Sequence, residues 1–133
     1  MRQASQSVKK SPPRLLAVTT LGSDLATLQE VARQEALELE SCSSILNAGV
    51  LLAQDPLRVV FLDRDICTAG WRSALAAILG HRQCQVLLIS PVTDDFLWEE
   101  VVRLGGFDVI TRPLSVMRII SAVNLASGAM RTK

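Results

Sequence analysis

The sequence is short of the residues that most catalytic and membrane functions need. It has one histidine, His81, so a histidine-dependent triad would have to be built on it, and it lies in a polar His81-Arg82-Gln83 turn expected to face solvent. The three cysteines, Cys42, Cys67 and Cys84, are odd in number and widely spaced. They form neither a CxxC pair nor a zinc pattern, and they suit a reducing compartment in which thiols pack as small hydrophobes. No apolar run approaches the roughly 18 residues of a membrane span, and the polar, basic N-terminus lacks the apolar stretch of a secretory signal. These absences make a soluble, cytoplasmic chain the expectation, with no membrane partner. Neither a GxGxxG fingerprint nor a Walker loop occurs, so the common nucleotide-binding motifs are missing.

What is present is a chain of 133 residues, 49% hydrophobic and 20% charged, the size and composition of one folded domain. The net charge of +1 conceals an asymmetry. Arg2, Lys9, Lys10 and Arg14 lie within the first 14 residues, where there is no acid, and the remainder carries about −3. Nucleic acid could be contacted electrostatically only through this tail, because the body offers no basic stripe. Residues 1–13, rich in Ser, Gln and Lys and closing on Pro12-Pro13, are expected to be a disordered basic tail, residues 14–128 the domain, and residues 129–133 a C-terminal tail.

Within the domain, apolar runs alternate with helix-length segments. Leu15–Val18, Arg58–Leu62, Gln85–Ile89 and Phe107–Thr111 read as strands, with the more polar Leu37–Ser41 as a fifth. The clearest runs are continuously apolar, as parallel strands covered on both faces should be. Helices are expected over Ser23–Glu35, Ser43–Gln54, Gly70–Leu79, Asp94–Leu104 and Ser115–Ala126, with Ser23 capping the first, Asp94-Asp95 the fourth start, and Gly105-Gly106 its end. Glu99-Glu100 reads as a solvated face. The alternation predicts an α/β fold: a doubly wound, five-stranded parallel sheet of flavodoxin-like order 2-1-3-4-5 with helices on both faces. Chemistry in such sheets collects outside the carboxyl ends of the strands, which directs attention to Thr19-Thr20, Asp63, Ser90 and Arg112.

Those residues, with VVFLD ending at Asp63 and LGGFDVITRP from Leu104 to Pro113, resemble the receiver domain of bacterial response regulators over essentially Arg14 to Ala126. The resemblance implies that Asp63 holds the phosphoacceptor position, Ser90 the switch position after strand four, Arg112 the position of the family's lysine, and Pro113 that of its proline. It also implies two adjacent acids after strand one, where this chain has Thr19 and Thr20. Neutral hydroxyls are poor ligands for the Mg²⁺ that phosphoryl transfer to a carboxylate requires. No cofactor is therefore expected, and Asp63 alone should hold Mg²⁺ poorly, with Asp65 and Asp24 as weak candidates to compensate. Arg112 is expected to grip Asp63 directly in a charge-assisted ion pair. Val109 replaces the aromatic that the family carries on strand five, so the relay to the surface of helix four, strand five and helix five should be interrupted.

The expected function is a non-enzymatic signal-transduction module of pseudo-receiver type, phosphorylation-independent, binding a protein partner through that surface, with a homodimer through the last two helices as a further hypothesis. One alternative keeps Asp63 as an active phosphoacceptor. Another, resembling a flavodoxin, takes Thr19-Thr20-Leu21-Gly22-Ser23 as a phosphate loop for FMN with Trp71 and Trp98 as flanking aromatics.

Overall fold

The computed structural model describes residues 12–81 and 83–131; residues 1–11 of the expected basic tail, Arg82 of the polar turn and the last two residues lie outside them. Ten elements alternate: β1 (Arg14–Val18), α1 (Gly22–Glu35), β2 (Leu39–Cys42), α2 (Ile45–Gln54), β3 (Arg58–Asp63), α3 (Trp71–Leu79), β4 (Gln85–Ser90), α4 (Asp95–Arg103), β5 (Asp108–Thr111) and α5 (Val116–Arg131). The strands form one parallel sheet in the order β2-β1-β3-β4-β5. This is the expected doubly wound sheet.

The continuous apolar runs are explained by burial on both faces. Successive strand residues point to opposite sides of the sheet. Leu16, Val18, Val60, Leu62, Val86 and Leu88 join α2, α3 and α4 in one core through Leu52, Leu75 and Val101. Leu15, Ala17, Val59, Phe61, Leu87 and Ile89 join α1 and α5 in the other through Leu28, Val31, Ile119 and Val123. β2, at the sheet edge, has partly buried ends at Leu39 and Cys42 and exposed Glu40 and Ser41 between them, which is why its sequence is more polar. Cys84 is buried within the first core, and Cys42 and Cys67 pack partly against it.

Several local expectations shift. Ser23 is not the cap of α1: the cap position is Leu21, which has no side-chain cap bond, and the helix begins at Gly22. The displacement follows from Thr19, whose Oγ1 accepts the Leu21 N–H at 3.1 Å and turns the chain into the helix earlier. Asp94 does cap α4, accepting the Leu97 N–H at 2.8 Å. Past Arg103 the chain closes as expected, with Gly105 at φ +106° and the Gly106 N–H on the Val101 carbonyl at 2.8 Å. α5 continues to Arg131 rather than closing at Ala126, because Ala126 and Ser127 are still buried and Met130 packs against the α1–α5 core. His81 is half-buried rather than solvent-facing, with Nε2 beside Gly49 of α2. No helix among the described residues is long and apolar enough to cross a membrane.

Candidate functional site

The carboxyl ends of β1, β3, β4 and β5 converge on a buried polar cluster. β3 delivers Asp63, 6% exposed, because its run is one residue longer than the apolar stretch alone suggested. β4 likewise extends to Ser90, which is fully buried, and Ser90 and Thr111 are register partners on β4 and β5. The Arg112 N–H donates to the Ser90 carbonyl at 3.0 Å, so the residue leaving β5 is held against the neighbouring strand end. A cis Arg112–Pro113 peptide follows.

From there the Arg112 side chain spans the strand ends. Its Nε lies 3.1 Å from both carboxylate oxygens of Asp24, its Nη2 donates to Asp24 Oδ2 at 2.7 Å, and the same Nη2 is 3.2 Å from Asp63 Oδ1. The expected Asp63–Arg112 pair is thus present, but its geometry is corrected: the two-nitrogen grip is on Asp24, and Asp63 takes the weaker contact. The reason lies in α1. Its first turn starts at Gly22 and directs Asp24 inward to 2% exposure, where only a cation and a hydroxyl satisfy a carboxylate. Thr19 supplies the hydroxyl, Oγ1 donating to Asp24 Oδ2 at 3.2 Å. Hydrogen bonding to Asp24 raises the Arg112 pKa above its ordinary value, against the opposing effect of burial, with Asp63 adding in the same direction.

The sequence marks Asp24 only as a weak candidate to compensate for the missing acid pair, and not as the principal partner of Arg112. The available signal was its position five residues past Thr19, in the first turn of a helix that packs against the sheet beside α5. The remaining neighbours are also placed. Asp65, exposed, gives its N–H to Asp63 Oδ1 at 2.9 Å. Thr20 is exposed and stands apart from the cluster, while Thr19 is buried in it. Arg64 Nη1 donates to Ser90 Oγ at 3.1 Å, and that hydroxyl closes a turn onto the backbone of Val92. Among the described residues, no group of three or more His, Cys, Asp or Glu side chains converges as a metal site.

The residues weighed for a flavin site are used differently. Thr19 is spent on Asp24 and Leu21, Trp71 is buried beneath the Arg72 guanidinium at 4.5 Å from its ring centre, and Trp98 donates from Nε1 to Asp108 at 3.0 Å. Glu100 is not simply solvated: it is half-buried, accepts from Arg103 at 2.7 Å and Arg72 at 3.3 Å, and has a lowered pKa chiefly because of Arg103.

On the far side of β5, Asp108 ties Trp98 of α4 to Arg118 of α5, the latter at 3.0 Å. Trp98 is itself 46% exposed, and Val102, one turn along α4, and Met117, next to Arg118 on α5, are exposed as well. Val109, by contrast, points into the core at 6% exposure.

No family model matches the chain, and no curated protein matches it significantly. Solved structures do. NtrX from Brucella abortus superposes at a TM-score of 0.81 with 19% identity, covering 92% of this chain and 28% of that one. The signal receiver domain of an HD domain-containing protein from Pseudomonas fluorescens Pf-5 gives 0.79 with 18% identity, over 92% of this chain and 100% of that one. Vibrio cholerae chemotaxis protein CheY4 gives 0.77 with 13% identity, over 87% and 99%. With sheet order and helix placement already the same, the chain has the fold of response-regulator receiver domains.

Proposed function

We propose that this chain is a non-enzymatic protein-interaction module of two-component-type signalling that works without phosphorylation of Asp63. The observation that carries the reading is the position of the Arg112 guanidinium, in contact with both Asp24 and Asp63. A receiver fold implies a divalent ion beside the phosphoacceptor, and the donors here do not fit it. Mg²⁺ demands near-octahedral oxygen ligands. The second carboxylate at this site is already engaged by two guanidinium nitrogens and the Thr19 hydroxyl, and Thr19 and Thr20 are neutral. Arginine cannot give up its proton to leave a neutral gap, so the carboxylates keep a fixed cation in place of an exchangeable one.

The interaction face of this reading is the α4–β5–α5 surface. Trp98, 46% exposed, is itself part of the Trp98–Asp108–Arg118 tie, with Met117 exposed next to Arg118 on α5, and an exposed aromatic beside a fixed arginine is the chemistry of a binding anchor. With Val109 in place of a swinging ring, the face holds one state and binds a protein partner, or a second copy of the chain, constitutively. The module is read as cytoplasmic.

The test is incubation with acetyl phosphate and Mg²⁺, followed by ³¹P NMR and mass spectrometry. The reading predicts no acyl phosphate at Asp63. An acyl phosphate that disappears in Asp63→Asn would establish the rival, an active phosphoacceptor in which Asp24 stands in for the missing acid pair.

A further inference from the structure

Every arginine whose side chain is described, except one, is ion-paired with an aspartate or glutamate. The exception is Arg64. It is half-buried, its side chain donates to the neutral Ser90 hydroxyl, and it lines a cleft of about 290 Å³ between the start of α3 and the start of α4. A partly buried guanidinium without a counter-ion leaves charge-assisted donors unused.

The rest of the cleft fits an anion with an apolar body. Thr93 brings a hydroxyl and Arg72 a second guanidinium, stacked on Trp71. Val92 and Phe96 leave apolar surface at the rim, 63% and 70% exposed. Two carboxylates also line the cleft. Asp94 is committed to the α4 N-terminus, and Glu100 is neutralised from both sides by Arg72 and Arg103. Arg64 and Arg72 match these two lining carboxylates in number, and with both carboxylates and Arg72 already engaged, Arg64 is the lining charge left without an ionic partner.

We propose that this cleft binds a small carboxylate carried on an aromatic or branched apolar body, the carboxylate on Arg64 and Thr93 and the body against Val92 and Phe96. Arg64 then exchanges its neutral Ser90 contact for a charged one, which couples the cleft to the turn that Ser90 closes onto Val92. The inference does not depend on whether Asp63 is modified.

The experiment is a ¹H–¹⁵N NMR titration of the full chain with sodium phenylacetate at constant ionic strength, with neutral phenylacetamide as the second arm. Saturable, millimolar shifts are expected at Val92, Thr93 and the Arg64 side chain, with phenylacetamide and the Arg64→Gln variant each roughly tenfold weaker for loss of the charged contact. Arg64→Lys should recover most of the affinity by restoring the charge, with thermal melts confirming that both variants fold. Equal binding of the acid and the amide, undiminished binding in Arg64→Gln, or shifts confined to Asp63 and Arg112 would each overturn the assignment. So would the absence of saturation at tens of millimolar.

Discussion

Arg112→Met should unfold the domain more readily than any surface change, and the size of the loss follows from what remains behind. Asp24 is 2% and Asp63 6% exposed, and Arg112 is the cation in contact with both. Removing one partner of a buried ion pair typically costs 3–5 kcal/mol, because the survivor is left charged and dry. The Arg112 side chain is itself 18% exposed, so water can partly replace it and the lower end of that range, about 3 kcal/mol, is appropriate. For a domain of this size that is a fall in Tm of roughly 12 °C. Urea denaturation at neutral pH, read by circular dichroism, gives the free energy directly. The double variant Asp24→Asn with Arg112→Met should be less destabilised than the two single losses added together, by about 1–3 kcal/mol, since the more buried of the two orphaned carboxylates has gone. A loss below about 1 kcal/mol in Arg112→Met would refute the bridge, as would strict additivity in the double variant.

Three further outcomes follow from individual contacts. Gly106→Ala places a Cβ 2.6 Å from Val101 Cγ1 and 3.1 Å from the Val101 carbonyl, and chemical denaturation should show a loss of about 1–3 kcal/mol. Hydrogen bonds from Arg33, and then Gln34, hold the Glu30 carboxyl down to about 2 from its ordinary 4.5. A depressed carboxylate stabilises above its unfolded value and loses that contribution as pH falls, so the Tm advantage of wild type over Glu30→Gln should be present at pH 6 and fade between about 4.5 and 2. Trp98→Phe removes the indole donor to Asp108 from a half-exposed position; a stability loss of about 0.5–1 kcal/mol is expected, with Arg118 keeping its own contact to Asp108.

Most of the fold was legible because parallel strands buried on both faces leave an unmistakable mark: Val59 to Leu62 and Val86 to Ile89 have no polar side chain to misplace. Boundaries were less so. The start of α1 depended on where the Thr19 hydroxyl turned the chain, and the end of α5 on whether Met130 found apolar surface, neither of which is written in local propensity. The site was half visible. Asp63, Ser90 and Arg112 could be found because each directly follows or ends an apolar run and so must sit at a strand end. Asp24 showed only as a weak candidate, because an acid in the first turn of a helix has an ordinary explanation in the helix dipole, and only the tertiary path of α1 makes it the main partner of Arg112. Glu100 and His81 were misjudged for the same reason, since polar residues on helices and turns reveal their partners only when a neighbouring helix is in place.

The central claim is that the Arg112 guanidinium stands in for an exchangeable ion at the strand ends. Amide NMR spectra recorded with Mg²⁺, before and after addition of beryllofluoride, test it most directly, with Asp63→Ala as the control. The account predicts no specific shifts at Asp24, Asp63, Ser90 or Arg112; saturable shifts at those residues that vanish in Asp63→Ala would contradict it and make the chain a working receiver.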